Sequence, residues 1–205
     1  MAGIHVAPET VARVRAAMHA ASRPLFLPRE VRHLAGADRP VMIGWDATNS
    51  QPSTVERMLQ LLKVHDGARV LDVGSGSGWT TAILAVLAGP EGTVIGVEIV
   101  PELVRFGRER LAEAWSVALA DAGAPRPEIR QATAGARGLP DEAPFDRILV
   151  SAAATSLPSE LAAQLAEGGR MVVPVAGVMT VVDRRGENLR VRRDDGLYSF
   201  VPLQE

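Results

Sequence analysis

Apolar residues recur along this chain with two different periods. From Pro8 to Ser22, Val11, Val14 and Met18 fall at i, i+3 and i+7, the spacing of an amphipathic helix. The proline-punctuated stretch "RPLFLPREVRHLAGADRP" follows, and it is expected to be mostly irregular with a short helix. "STVERMLQLLKV" returns to the helical period, with Val55, Met58, Leu59 and Leu62 as its apolar stripe and Ser53 or Thr54 as its N-cap.

Beyond that helix the rhythm changes. "ARVLDVG" and "GTVIGVEI" are short continuous apolar runs, which read as strands buried on both faces. "EIRQAT", "FDRILVSAAA" and "RMVVPV" are further strands. Between them lie the helices "GWTTAILAVLAG", "PELVRFGRERLAEAWSVALADAG" with proline in its first turn, and "PSELAAQLAEGG", expected to stop at Gly168 and Gly169. Alternating buried strands and helices specify an α/β fold, a doubly wound and mostly parallel sheet covered on both faces. In the tail, alternation around "RGEN" predicts an antiparallel hairpin at the sheet edge. The whole chain, 1–205, is expected to be one domain, with 1–52 as an N-terminal helical and loop elaboration and 53–205 as the core.

Composition narrows the class without naming a chemistry. Hydrophobic residues make up 47% and charged residues 22%, ordinary for a soluble globular protein. A formal charge of −2 and a pI near 6.1 supply no electrostatic reason for a nucleic-acid or anionic-membrane partner. Cysteine is absent, so disulfides, thiolate metal sites and thiol nucleophiles are excluded, and no metal site is expected. The N-terminus shows no basic region followed by an apolar core, and "WTTAILAVLAGPEG" is too short and too broken to span a membrane. A cytoplasmic location is expected.

The chemistry concentrates at the first strand–helix junction. "VLDVGSGSGWTT" sets Gly74, Gly76 and Gly78 between a strand and a helix, where backbone can approach a ligand closely. It lacks the Gly-Lys-Ser/Thr of a P-loop, and its third glycine comes one residue early for the dinucleotide fingerprint. Glu98 ends the next strand, placed to accept hydrogen bonds from ribose hydroxyls. Loop and acid together argue for a ribose-bearing cofactor, and the glycine spacing favours an adenosyl ligand without pyrophosphate. Asp72 either supports the loop or meets the cationic amino-acid end of that ligand.

These residues resemble a known family. "VLDVGSGSGWTT…VIGVE" is similar to the S-adenosylmethionine-binding core of class I methyltransferases. "TNSQPSTVERMLQLL", "EAPFDRILVSAAA", "LAEGGRMVVPV" and the terminal "FVPL" resemble more narrowly the protein-L-isoaspartate O-methyltransferases, over about Pro40 to Leu203. The resemblance implies a Rossmann-like fold and S-adenosylmethionine as cofactor, with S-adenosylhomocysteine as product. It implies methyl transfer to the free α-carboxylate of isoaspartyl residues in damaged proteins, the ester then cyclising to a succinimide that reopens partly as aspartate. Within T-x-S-x-P it assigns Ser50 as the active-site residue. It places the cofactor against Thr48, Asn49, Asp72, Gly74, Ser75, Gly76, Ser77, Gly78, Glu98, Ile99, Thr133 and Ala134. The enzyme is expected to be a monomer with no nucleic-acid or membrane partner.

Two positions depart from the family pattern. The acid of a Gly-Asp-Gly that approaches the adenine amino group is replaced by Ala134, leaving a backbone carbonyl or the Thr133 hydroxyl as its substitute. Asp46-Ala47 stands where a Gln or similar residue commonly precedes Thr48. Alternative readings are a carboxyl methyltransferase acting on an aspartate of one peptide, and a catalytically silent S-adenosylmethionine-binding homologue. A carboxylate is already ionised at pH 7, so the transfer needs alignment rather than a general base. "DRRGENLRVRRDD" reads as a solvated turn, because acids interleave its arginines.

Overall fold

Helix α1 (Pro8–Ala20) turns Val14 and Ala17 into the core and its charged face outward. The computed structural model describes residues 3–133 and 135–204. The proline-rich stretch holds two short 3-10 helices, Arg23–Phe26 and Arg29–Leu34. It then forms an unexpected hairpin of β1 (Val41–Gly44) and β2 (Ala47–Asn49). Gly44 faces Ala47, so Trp45 and Asp46 make a two-residue turn, both at positive φ (52° and 54°). That is the primed turn a hairpin twist favours, although a bulky Trp rarely adopts it.

Helix α2 (Pro52–Leu62) buries Val55, Met58, Leu59 and Leu62 as its stripe predicts. Its cap differs from expectation. The helix starts at Pro52, with Gln51 at the N-cap position two residues before the nearer expected cap, and neither Ser53 nor Thr54 caps it. Instead Asp38 reaches in from the preceding loop, its Oδ1 accepting the Ser53 N–H at 2.9 Å. A proline at the first helical position needs no N–H partner, which moves the start forward.

The remaining strands and α-helices are β3 (Arg69–Val73), α3 (Trp79–Ala88), β4 (Thr93–Glu98), α4 (Pro101–Ala114, continued as a π-helical turn over Trp115–Leu119), β5 (Glu128–Gln131), β6 (Phe145–Val150), α5 (Ser159–Ala163), β7 (Leu165–Val175), β8 (Val178–Arg185) and β9 (Asn188–Arg193). The sheet order is β5-β4-β3-β6-β7-β8-β9, parallel from β5 to β7 and antiparallel for β8 and β9. Residue parity feeds two cores: Val70, Val94, Leu149 and Val172 enter one face, and Leu71, Ile95, Ile148 and Met171 the other. Both layers are buried, which accounts for apolar runs that do not alternate.

Helix α5 is shorter than predicted and does not reach Gly168. Gln164 ends it, accepting the Phe145 N–H on its carbonyl at 2.8 Å, and Leu165 already pairs with Phe145. The buried Gln164 side chain also donates to Arg137 O at 2.7 Å and accepts the Leu139 N–H at 2.9 Å. The anchored residue converts the chain from helix to strand. At the far edge, Gly186-Glu187 closes the predicted hairpin of β8 and β9. Of the hairpin's own arginines, Arg192 pairs with its Asp183, which also receives Arg170 from β7. Asp183 takes Arg170 Nε at 2.5 Å and Arg192 Nη2 at 2.8 Å. Among the described residues, no helix is long and apolar enough to cross a membrane.

Candidate active site

The carboxyl ends of β3, β4, β5 and β6 meet where successive connections leave the sheet in opposite directions, the usual ligand crevice of such sheets. A cavity of about 190 Å³ lies there. One wall is the glycine loop, Gly74 to Ser77, with Trp79 behind it. A second comprises Glu98, Ile99 and Thr133, and a third Ser151 and Ala152. The β1–β2 hairpin supplies Trp45 to Asn49, continued by Ser50, and the returning tail supplies Val201 to Gln204. Bonds from Ala153 N to Val201 O and from Leu203 N to Ala153 O, both 2.8 Å, hold the tail in place.

Backbone bonds shape the glycine loop before any ligand arrives. The N–H groups of Gly74 and Ser75 both donate to Val97 O (2.9 and 3.1 Å), and Gly78 N–H closes back on Ser75 O at 2.8 Å. Gly78 does not line the cavity. At φ 82° it turns the chain into α3, and an added Cβ there would stand 3.0 Å from Leu111 Cγ. Gly107 of α4 is equally constrained, since its Cβ would fall 2.7 Å from Gly76 O. Helix α4 therefore seats directly on loop backbone.

Asp72 also lies off the cavity wall. It is fully buried in the sheet centre, in register between Gly96 and Leu149. Its Oδ2 accepts the hydroxyls of Thr80 and Thr81, each at 2.7 Å. Desolvation pushes its pKa from 3.8 to about 6, the two hydroxyl bonds opposing and the Glu98 charge adding slightly. Of its two sequence readings, this placement supports the loop-bracing one.

Glu98 has the opposite disposition, only 7% exposed yet on the cavity wall. Its Oε2 accepts the Gly76 N–H at 2.9 Å, and its Oε1 accepts those of Ile99 and Val100 at 2.8 and 3.0 Å. The carboxylate is thus fixed between loop and α4 N-terminus, with one lone pair, on Oε2, left over for a hydroxyl donor.

Opposite the glycine loop, Asn49 is buried and its Nδ2 donates to Ser77 Oγ at 3.1 Å. This bond ties the T-x-S segment to the glycine loop. Thr48 and the half-buried Ser50 flank it on the cavity wall. Ala134 lies outside the described residues.

Sequence reasoning missed three contributors. Arg23 is one: an arginine in a proline-rich stretch reads as surface, yet it is 5% exposed beneath Asn49 and Ser50. Desolvation lowers its pKa, while Asp38 pulls the other way. Trp45 and Ser151 are the others, and neither sits in a pattern that marks it.

Two buried hydroxyls on the wall, Ser75 Oγ and Ser151 Oγ, have no partner among the described residues. Each would cost about 1–3 kcal/mol unpaired, so the wall suits a ligand with polar groups. With the oriented Glu98 carboxylate, the donor and acceptor set fits an amino-acid nucleoside such as S-adenosylmethionine.

Residues 7–205 match the family "Protein-L-isoaspartate(D-aspartate) O-methyltransferase (PCMT)". The chain is 42% identical over 204 residues to a protein-L-isoaspartate O-methyltransferase of Aeropyrum pernix, covering 95% of this chain and 73% of the relative. It is 44% identical over 187 residues to protein-L-isoaspartate O-methyltransferase 1 of an Anaeromyxobacter species, covering 88% and 82%. Among solved structures it is similar to a Plasmodium falciparum protein, described as a putative protein-L-isoaspartate O-methyltransferase in complex with S-adenosyl-L-homocysteine. The TM-score is 0.80 and the identity 26%, over 94% of this chain and 90% of that one.

Proposed function

This chain belongs to the protein-L-isoaspartate(D-aspartate) O-methyltransferase family, and we propose on that premise that it transfers a methyl group from S-adenosylmethionine to the α-carboxylate of isoaspartyl residues in damaged proteins. The product ester is the precursor of a succinimide, through which repair proceeds. S-adenosylmethionine supplies the electrophilic sulfonium methyl and departs as S-adenosylhomocysteine.

The residues then have separable tasks. Glu98 accepts from a ribose hydroxyl on the free lone pair of Oε2, and the glycine loop with Ser75, Ser77, Thr48, Ile99 and Thr133 surrounds the nucleoside. Asp72 and Gly78 shape the loop from behind rather than touching the ligand. Ser50 donates its hydroxyl to the acceptor carboxylate and aligns one oxygen with the methyl carbon. The nucleophile is already ionised, so no base is required and orientation is the main source of rate. The observation that carries this reading is the Asn49–Ser77 bond, which joins the acceptor-side loop to the cofactor-side loop across one cavity. The enzyme works as a single-domain monomer in the cytoplasm on proteins and peptides, not on nucleic acid or membrane. Its near-neutral charge supports that choice of partner.

The test is incubation with methyl-labelled S-adenosylmethionine and an isoaspartyl peptide, beside the matching aspartyl peptide. Label on the isoaspartyl peptide alone is expected. Label on the aspartyl peptide would redirect the reading to another carboxylate, and label on neither, with cofactor still bound, would make the protein catalytically silent. Ser50→Ala is expected to lower kcat at least tenfold while leaving S-adenosylhomocysteine affinity within about threefold.

A further inference from the structure

Arg23 is a buried cation whose acceptors among the described residues are all carbonyl oxygens. Its Nε donates to Asn49 Oδ1 at 2.7 Å, and its Nη1 to Ala35 O and Ala37 O at 3.2 and 2.9 Å. Its Nη2 donates to Arg39 O, Asn49 O and Ser50 O at 2.8, 3.2 and 3.0 Å. The guanidinium also lies over the Trp79 ring, 5.3 Å from its centroid, and Trp79 opens the helix behind the glycine loop.

Two of these contacts bracket one residue. The carbonyls of Asn49 and Ser50 flank the Ser50 N–Cα–C unit, so a single nitrogen clamps the backbone that carries the Ser50 hydroxyl. The Nε bond orients the Asn49 amide, whose other end meets Ser77 Oγ at 3.1 Å. One side chain therefore touches the acceptor-side loop directly, the cofactor-side loop through Asn49, and the helix behind that loop through Trp79. Core filling alone would not call for a charge here. Burying a guanidinium is costly unless its donors are satisfied, and a fork of donors in fixed geometry is what arginine offers and lysine lacks.

We infer that Arg23 is a positioning residue for methyl transfer, setting where the Ser50 hydroxyl stands relative to the glycine loop. The inference rests on the carboxyl methyl transfer proposed above. Without the clamp, the Ser50 loop keeps its chain path but loses its register against the cofactor side, and a displacement near 1 Å costs about a hundredfold in rate. A merely structural role makes a different forecast: fewer folded molecules, each with undiminished turnover.

The experiment compares the unsubstituted enzyme with Arg23→Lys, which keeps the charge and loses the fork. Active sites are counted by S-adenosylhomocysteine titration calorimetry, and kcat per site is measured on the isoaspartyl peptide. We expect kcat per site to fall about a hundredfold, with cofactor affinity within about threefold of the parent. A kcat per site within threefold of the parent overturns the inference, whatever the yield or melting temperature. Should Arg23→Lys not fold, Asn49→Ala carries the test, since it removes the Nε acceptor and the Ser77 link but leaves the backbone clamp. It is expected to lower kcat per site about tenfold, and undiminished turnover there overturns the inference equally. If both fold, the double variant should be no slower than Arg23→Lys alone, because the two act in series, and fully multiplying losses overturn the relay. An unsubstituted enzyme that binds cofactor but labels neither peptide overturns the methyl-transfer reading itself. That result is distinct from failure of the variants alone.

Discussion

Replacing Asp72 by Asn should make the protein more stable at neutral pH, by an amount that disappears in acid. The carboxyl is fully buried and ionises only near pH 6, against 3.8 in its ordinary state. Between those values the folded chain holds a proton that the unfolded chain has lost, so stability falls as pH rises through the window and is level above it. The interval from 3.8 to about 6 corresponds to about 3 kcal/mol, an upper figure given that local relaxation softens desolvation. The Thr80 and Thr81 hydroxyls can reorient toward an amide oxygen, so the substitution leaves their bonds available. The assay is urea unfolding of parent and Asp72→Asn from pH 4 to pH 8. The difference, variant minus parent, should grow by ~2 kcal/mol between pH 4 and pH 6.5 and be level from about pH 7. A difference flat across that range would refute the buried-charge argument. The same titration separates the two roles considered for Asp72. A carboxylate meeting the cationic end of the cofactor would release a proton on binding near pH 6, and affinity would climb with pH. A loop brace would leave the affinity indifferent, which is the outcome expected here.

Three further substitutions probe the site's construction. Glu98→Gln keeps the shape, but both carboxylate oxygens accept N–H donors, so an amide must point its NH2 at one of them. It should cost about 2 kcal/mol in unfolding free energy and at least tenfold in S-adenosylhomocysteine affinity, and unchanged affinity by calorimetry would count against the proposed ribose contact. Gly107→Ala puts a methyl 2.7 Å from Gly76 O, so α4 must shift off the loop. About 1–3 kcal/mol of stability should go, together with cofactor affinity, and a variant melting like the parent would show that the contact is slack. Asp194→Asn leaves the Arg57 guanidinium without the carboxylate that takes its Nε at 2.6 Å and its Nη2 at 2.5 Å. Thermal unfolding should register a loss of about 3 kcal/mol, and a shift below 1 °C would contradict it.

The parallel core was readable because burial on both faces leaves a mark that survives in one dimension. Short apolar runs with no alternation, Val70-Leu71, Val94 to Val97 and Ile148 to Val150, occur where β3, β4 and β6 are covered on each side, and Gly74 and Glu98 fall at the carboxyl ends of β3 and β4 by construction. Where the reading failed, a specific contact overrode local preference. The α2 cap went to Asp38 in an earlier loop, and the helix expected through Gly168 stopped at Gln164, whose side chain is bound to the β5–β6 connection. The turn at Trp45-Asp46 carries none of the Asn-Gly chemistry that marks a two-residue hairpin, so β1 and β2 left no signal.

The Ser50 side of the cavity was hidden for a deeper reason. Its shape depends on Arg23 binding backbone carbonyls, and a carbonyl is the same group at every residue. No pairing of side-chain types, no period and no charge pattern records which carbonyls converge on a guanidinium. The glycine loop is different. Its close approaches at Gly78 and Gly107 forbid a side chain, so the constraint is written into the sequence as glycine. Sites built by excluding atoms are therefore legible, whereas sites built by recognising the main chain emerge only once the chain is folded. The cofactor side here belongs to the first kind and the Ser50 side to the second, which is why motif and chemistry were readable for one and only the motif for the other.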